Sequence, residues 1–416
     1  MQNGEIASGF AENPEIQKFK NVTGILAVKY LDAKYRKCQK GKGLCLAEME
    51  KFQKDRRILI LEQAAKIGLL LPLPAQIPEG GFSIWSWILT AALTFLYLKI
   101  MLDFSKKLPE YPATDRKKGM ENKAAENRKD GTGQAEIAIL TVVYGIYGLA
   151  DVFFLLCLFA EVAQCFLLPE QKIWMLILPA AAVCSFAADH RLEVRAKFLE
   201  VLCPILTFPV MLLLLVLAVL TIRGGQFGTL GEMMRPSAPG SIWIAGIAML
   251  SVFAGLGSDV FLQRETEEQQ SRSVFEKTTG SMLIGSLLLL FLLQAVFGAG
   301  GIRALPFSVI TAMSNSKIKG IFLQRWDVLF AVFFLGMVCG ALVSGFTVLG
   351  TCSERLLPGK KKKWKWWLMA AAASAAACVS PSYEKSVQLY ELVSLGFLGI
   401  TMLVALLKII RKIHCK

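Results

Sequence analysis

Long apolar runs separated by short charged segments organise this chain from about residue 57 to its end. Ten runs are read as helical spans, numbered 1 to 10, at 57–74, 82–102, 136–166, 171–189, 198–222, 240–262, 278–298, 326–352, 364–381 and 386–410. About 20 helical residues, at about 1.5 Å each, cross a hydrocarbon core about 30 Å thick. The expected fold class is therefore an all-α polytopic membrane protein of about ten transmembrane helices. Span 1 has the weakest hydropathy, since it carries Glu62 and Lys66 and ends in Pro72 and Pro74. The expected domains are a polar, basic cytoplasmic extension at 1–56 and a transmembrane domain at 57–412, the latter including a Lys-, Glu-, Asn- and Gly-rich cytoplasmic loop at 103–134. Between spans 7 and 8, the semi-apolar stretch 305–313 is expected as a short surface helix across the extracellular or lumenal mouth.

Composition supports the same class. Of 416 residues, 54% are hydrophobic and 19% charged, whereas a soluble domain is nearer half apolar and a quarter charged. The formal charge of +14 first invites an anionic partner. Its distribution points elsewhere: 35 of the 46 Lys and Arg fall in segments that a cytoplasmic N-terminus places inside, and both termini are then expected in the cytoplasm. The run Lys360 to Lys363, followed by Trp364, Trp366 and Trp367, reads as an interface anchor, so the expected partner there is the lipid bilayer and not nucleic acid. The first 50 residues lack a short apolar region with a small-residue cleavage site, so insertion is expected to use an internal span. With no CxxC pair and only His190 and His414, no metal or other cofactor is expected. No His-rich, Ser/Lys or paired-Asp membrane motif marks an enzyme.

Ionisable and helix-breaking residues inside spans are costly, which makes them the candidates for function. In span 1, Glu62 and Lys66 lie four residues apart on one face, and Gly68, Pro72 and Pro74 weaken the helix that follows. Either the second half of that span unwinds around a cavity, or the prolines simply end it. Span 6 carries Gly255, Gly257, Ser258 and Asp259 near its end. The glycines serve either a break or close helix packing, and Asp259 either a site or the interface. Breaks in spans 1 and 6, five spans apart, match a five-plus-five inverted repeat. In span 3, Tyr144, Tyr147, Gly148 and Asp151 form one polar stripe. Asp151 either carries a proton or fixes packing as a neutral acid. Gly336, Gly340 and Ser344 form a packing face on span 8, and Pro204 and Pro209 kink span 5.

Two further segments carry a resemblance. The junction 190–205, with Glu193, Arg195, Glu200 and Pro204, and the approach to span 8 at 306–332, with Arg325 and Asp327, resemble the spore germination permease family. This is the GerAB-type B subunit of germinant receptors, within the amino acid/polyamine/organocation (APC) superfamily. The resemblance implies a LeuT-like core with broken helices 1 and 6 and a small-molecule pocket between helices 1, 3, 6 and 8. It also implies assembly with A and C receptor subunits in the inner membrane of a spore. Carried onto this chain, it places Gly68, Gly255, Gly257 and Ser258 at the ligand; Tyr144 and Tyr147 of the span 3 stripe are further ligand-binding candidates. Asp151, Glu62, Lys66 and Asp259 are the candidate proton or charge sites. The function so implied is sensing of a small nutrient such as an amino acid; the alternative is a proton-coupled amino-acid permease.

Overall fold

The computed structural model describes residues 83–105, 131–188, 211, 214–222, 231, 239–255, 268–305, 307, 310–311, 326–356, 363–379 and 383–414. All regular structure among these residues is helical. The elements are α1 (Ile84–Ser105), α2 (Gly131–Phe166), α3 (Ile173–Ala188), α4 (Pro239–Phe253), α5 (Glu268–Ala304), α6 (Trp326–Leu356), α7 (Lys363–Val379) and α8 (Tyr383–His414). They fall on expected spans 2, 3, 4, 6, 7, 8, 9 and 10 in order, and 214–222 is helical at the end of span 5. The N-terminal extension, span 1, most of the loop 103–134, and Pro204 and Pro209 lie outside the described residues.

Five helices contain stretches long and apolar enough to cross a membrane: Ile84–Met101, Ala138–Phe166, Thr279–Gly298, Val328–Ser353 and Lys385–Leu407. The chain is thus a helical membrane protein. Helices suit that solvent because each closes its own backbone hydrogen bonds where water cannot. Hydroxyls in the spans follow the same rule. Thr347 donates to the Val343 carbonyl at 2.7 Å, Thr351 to Thr347 at 2.9 Å and Thr401 to Phe397 at 2.8 Å.

α2 is the hub of the bundle and packs on α3, α6, α7 and α8. Without a hydrophobic drive between helices in lipid, close approach depends on small residues. A Cβ on Gly148 of α2 would stand 3.3 Å from Val348 Cγ1, and one on Gly145 3.7 Å from Cys352 Cβ. From the other side, a Cβ on Gly345 of α6 would come within 2.8 Å of Val152 Cγ2. These contacts run in opposite chain order, so α2 and α6 are antiparallel. The α2 and α8 helices are antiparallel too, through Tyr144 on Phe397 and Phe154 on Tyr383. By contrast α1 and α4 run parallel. Thr90 bonds the Gly246 carbonyl and Tyr97 bonds the Ala254 carbonyl. Span 3 is odd in the order while spans 8 and 10 are even, and spans 2 and 6 are both even, so these directions obey the alternation that a chain threading back and forth requires.

Within α5, Gly298 takes φ 69° and ψ 172°, a backbone conformation open only to glycine, and the helix axis kinks there. That is the expected end of span 7. The connection beyond it differs from the expected surface helix, because Phe307 and Ile310 are buried. Phe307 is held between Phe166 at the end of α2 (6.0 Å between ring centroids) and Tyr383 at the start of α8 (5.6 Å). An aromatic residue at this place gains more from capping the α2–α8 seam than from lying on the surface.

Candidate functional site

Along α2, spacings of three and four residues place Tyr144, Tyr147, Gly148 and Asp151 on one face. The structure turns that face inward. Both tyrosines are buried and Asp151 is only 6% exposed. A carboxyl group in such a place needs polar company, because transfer out of water is expensive for it. The company comes from α8. Tyr390 is in polar contact with Asp151, and the Tyr147 and Tyr390 hydroxyls lie 3.2 Å apart, sharing a hydrogen bond that either can donate. The Asp151 carboxyl also borders Tyr147 and, across the α2–α6 contact, faces Gly345, where a Cβ would stand 3.4 Å from its Oδ2.

Rings clamp these phenols in place. Phe397 stacks on Tyr147 at 4.4 Å and receives Tyr144 edge-on at 5.1 Å. Phe154 stacks on Tyr390 at 4.5 Å. Each ring loses little freedom on ordering, having only two torsions, and the stack leaves the Tyr147 hydroxyl on that of Tyr390, which in turn meets Asp151. The result is an acid with two phenolic hydroxyls and four aromatic faces, set in an apolar bundle. Chemically, such a cluster can hold a cation or exchange a proton, since aromatic faces and a carboxylate both favour positive charge.

A second strand of the site begins on α1. That helix turns hydroxyl residues inward beside its buried Trp87, Leu98 and Met101: Ser83, Ser86, Thr90, Thr94 and Tyr97 are buried, while Trp85, Ile88, Phe95 and Leu96 are exposed. Thr90 Oγ1 donates to its own helix at Ser86 (2.8 Å) and also lies 3.1 Å from the Gly246 carbonyl of α4. Further along the same face, Tyr97 Oη donates to the Ala254 carbonyl at 3.3 Å. Ala254 sits where α4 stops. Its N–H bonds back to the Ser251 carbonyl at 3.2 Å in a tighter turn, and Gly255 follows in the same turn. The described helix of span 6 therefore ends at Phe253, and the rest of that span, 256–262, lies outside the described residues.

Among the sequence candidates, Tyr144, Tyr147 and Asp151 are brought together, and Gly255 is buried in the turn after α4. Glu62, Lys66, Gly68, Gly257, Ser258 and Asp259 lie outside the described residues. Sequence reasoning passed over Tyr97 and Tyr390. For Tyr97 a signal exists in the stripe 83, 86, 90, 94, 97, whose helical spacing gathers hydroxyl residues on one side. Tyr390 carries no such mark, being one aromatic among several of span 10.

The family model described as "Spore germination protein" matches residues 117–385, close to two thirds of the chain and inclusive of α2 to α7. None of the curated proteins matches this sequence.

Proposed function

Because the chain belongs to the spore germination protein family, we propose that it is the integral membrane subunit of a spore germinant receptor, which binds a small nutrient and signals to partner subunits. The observation that carries this reading is the buried Asp151–Tyr147–Tyr390 cluster, set in a bundle where Tyr97 of α1 separately ties down the end of α4. An amino acid suits both parts. Its ammonium group finds a carboxylate and aromatic faces at Asp151. For its carboxylate the family resemblance offers Gly255, Gly257 and Ser258, with Gly68 as the counterpart on span 1 in a LeuT-like repeat. Binding then favours one arrangement of the α1, α2, α4 and α8 helices over another, and that shift passes to the A and C subunits. The setting is the inner membrane of the spore, with both termini in the cytoplasm.

Vesicles holding the full-length chain, assayed for uptake of labelled L-amino acids, test this together with deletion of the coding sequence. Loss of nutrient-triggered germination without measurable uptake is expected. Saturable, proton-dependent uptake would overturn the sensory reading in favour of a permease.

A further inference from the structure

One member of the hydroxyl stripe of α1, Thr94, has, like Thr279 and Tyr383, a buried oxygen that makes no hydrogen bond among the described residues. Thr90, Thr221, Thr347, Thr351, Thr401 and Ser374 each donate to the carbonyl four residues back in their own helix. Thr94 has the same choice, yet its Oγ1 makes no hydrogen bond among the described residues, and the residue is 0% exposed. Buried polar atoms are satisfied in nearly all native proteins, and an orphan asks for a partner that is missing. Its position narrows the partner down. Thr94 lies between Thr90, which reaches Gly246, and Tyr97, which reaches Ala254, so it shares the α1 face turned to the last turns of α4. Helix α8, the bearer of Tyr390, packs against both α1 and α4.

We propose that α1 completes the ligand site, with the Thr94 hydroxyl contacting the bound small molecule and Tyr97 serving as a positioning residue for the turn at Ala254 and Gly255. The class of ligand is a small zwitterion. A threonine hydroxyl donates to a carboxylate and accepts from an ammonium, and so suits either end of one. The inference rests on the receptor reading and adds to it a helix outside the set of helices 1, 3, 6 and 8.

Thr94→Val supplies the test, because valine has nearly the same shape. If Thr94 had only a packing role, losing an unsatisfied hydroxyl would be neutral or stabilising. Purified full-length chain in detergent is heated with increasing amounts of an equimolar mixture of the common L-amino acids. The expected result is an unliganded melting temperature equal to or above wild type, with the concentration for half-maximal stabilisation raised about tenfold, the loss of one hydrogen bond. Thr94→Ser restores the wild-type value. Tyr97→Phe shifts the same concentration upward, since the turn loses its tie. If Thr94→Val does not accumulate, Thr94→Ala is read in the same assay, with the same shift expected. A valine variant stabilised at wild-type concentrations overturns the inference and leaves the receptor reading standing. A wild-type chain that the mixture does not stabilise overturns both.

Discussion

Spores carrying Asp151→Asn are expected to lose nutrient-triggered germination while the amount of the protein in their membranes stays close to wild type. Asparagine keeps the shape of the side chain and can still accept a hydrogen bond from Tyr390, so the stacks of Phe154 on Tyr390 and of Phe397 on Tyr147 persist. What disappears is the negative charge that a ligand ammonium or a proton would meet. A hydrogen bond to a charged group contributes about 1.5–3 kcal/mol, so the half-maximal nutrient concentration should rise about 10- to 150-fold or pass beyond reach. Dose–response curves for germination, with immunoblots of spore membranes, measure both quantities. An unchanged dose–response in Asp151→Asn would show that the carboxyl is a packing element only.

The largest effect on folding is expected at Gly345. Its Cβ in Gly345→Val would stand 2.8 Å from Val152 Cγ2, far inside ordinary contact, with Asp151 Oδ2 on the same side. Val152 is fully buried and has nowhere to go. Overpacking a well-filled core costs about 1–3 kcal/mol and often more, a large share of a total stability of about 5–15 kcal/mol. Loss of most of the protein from membranes is therefore expected, along with a lowered melting temperature of whatever remains. Gly396 and Gly399 of α8 serve as controls, since a Cβ there meets nothing within 4 Å among the described residues. Gly396→Ala should be tolerated or mildly stabilising, by about 0.5–1 kcal/mol, as alanine replaces glycine inside a helix. Wild-type abundance and melting of Gly345→Val would disprove the close α2–α6 contact.

These two residues mark where sequence reading succeeds and where it stops. Asp151 stands out in the sequence because a carboxylate in an apolar span is rare, and the cost of burying it is tolerated where the group has a task. Gly345 does not stand out. The expected packing face of span 8 is Gly336, Gly340 and Ser344, chosen on four-residue spacing, and a tight contact with α2 falls on Gly345, a residue that this spacing leaves out. Spacing defines a face of a helix, but the crossing point depends on the angle and height of its neighbour, which a single helix does not contain. Tyr390 illustrates the same limit. It meets Asp151 from the far end of the chain, and its own surroundings in span 10 give no reason to prefer it to any other aromatic residue. The end of α4 is legible, since paired glycines weaken a helix locally, but its tie to Tyr97 is not.

What the chain alone determined is the class of structure: runs of about 20 uniformly apolar residues are too long and too unbroken for the alternating strands of a barrel, and satisfy their backbone hydrogen bonds in lipid as helices. It also determined their order and, through motif resemblance, the family matched over 117–385. Tertiary structure decided which few polar groups meet. It brought Tyr147, Asp151 and Tyr390 together from two helices, and Tyr97 to the turn after Phe253 from two others. The physical reason is that hydropathy and periodicity are properties of one helix and its solvent, while a site is a property of several helices and the distances between them.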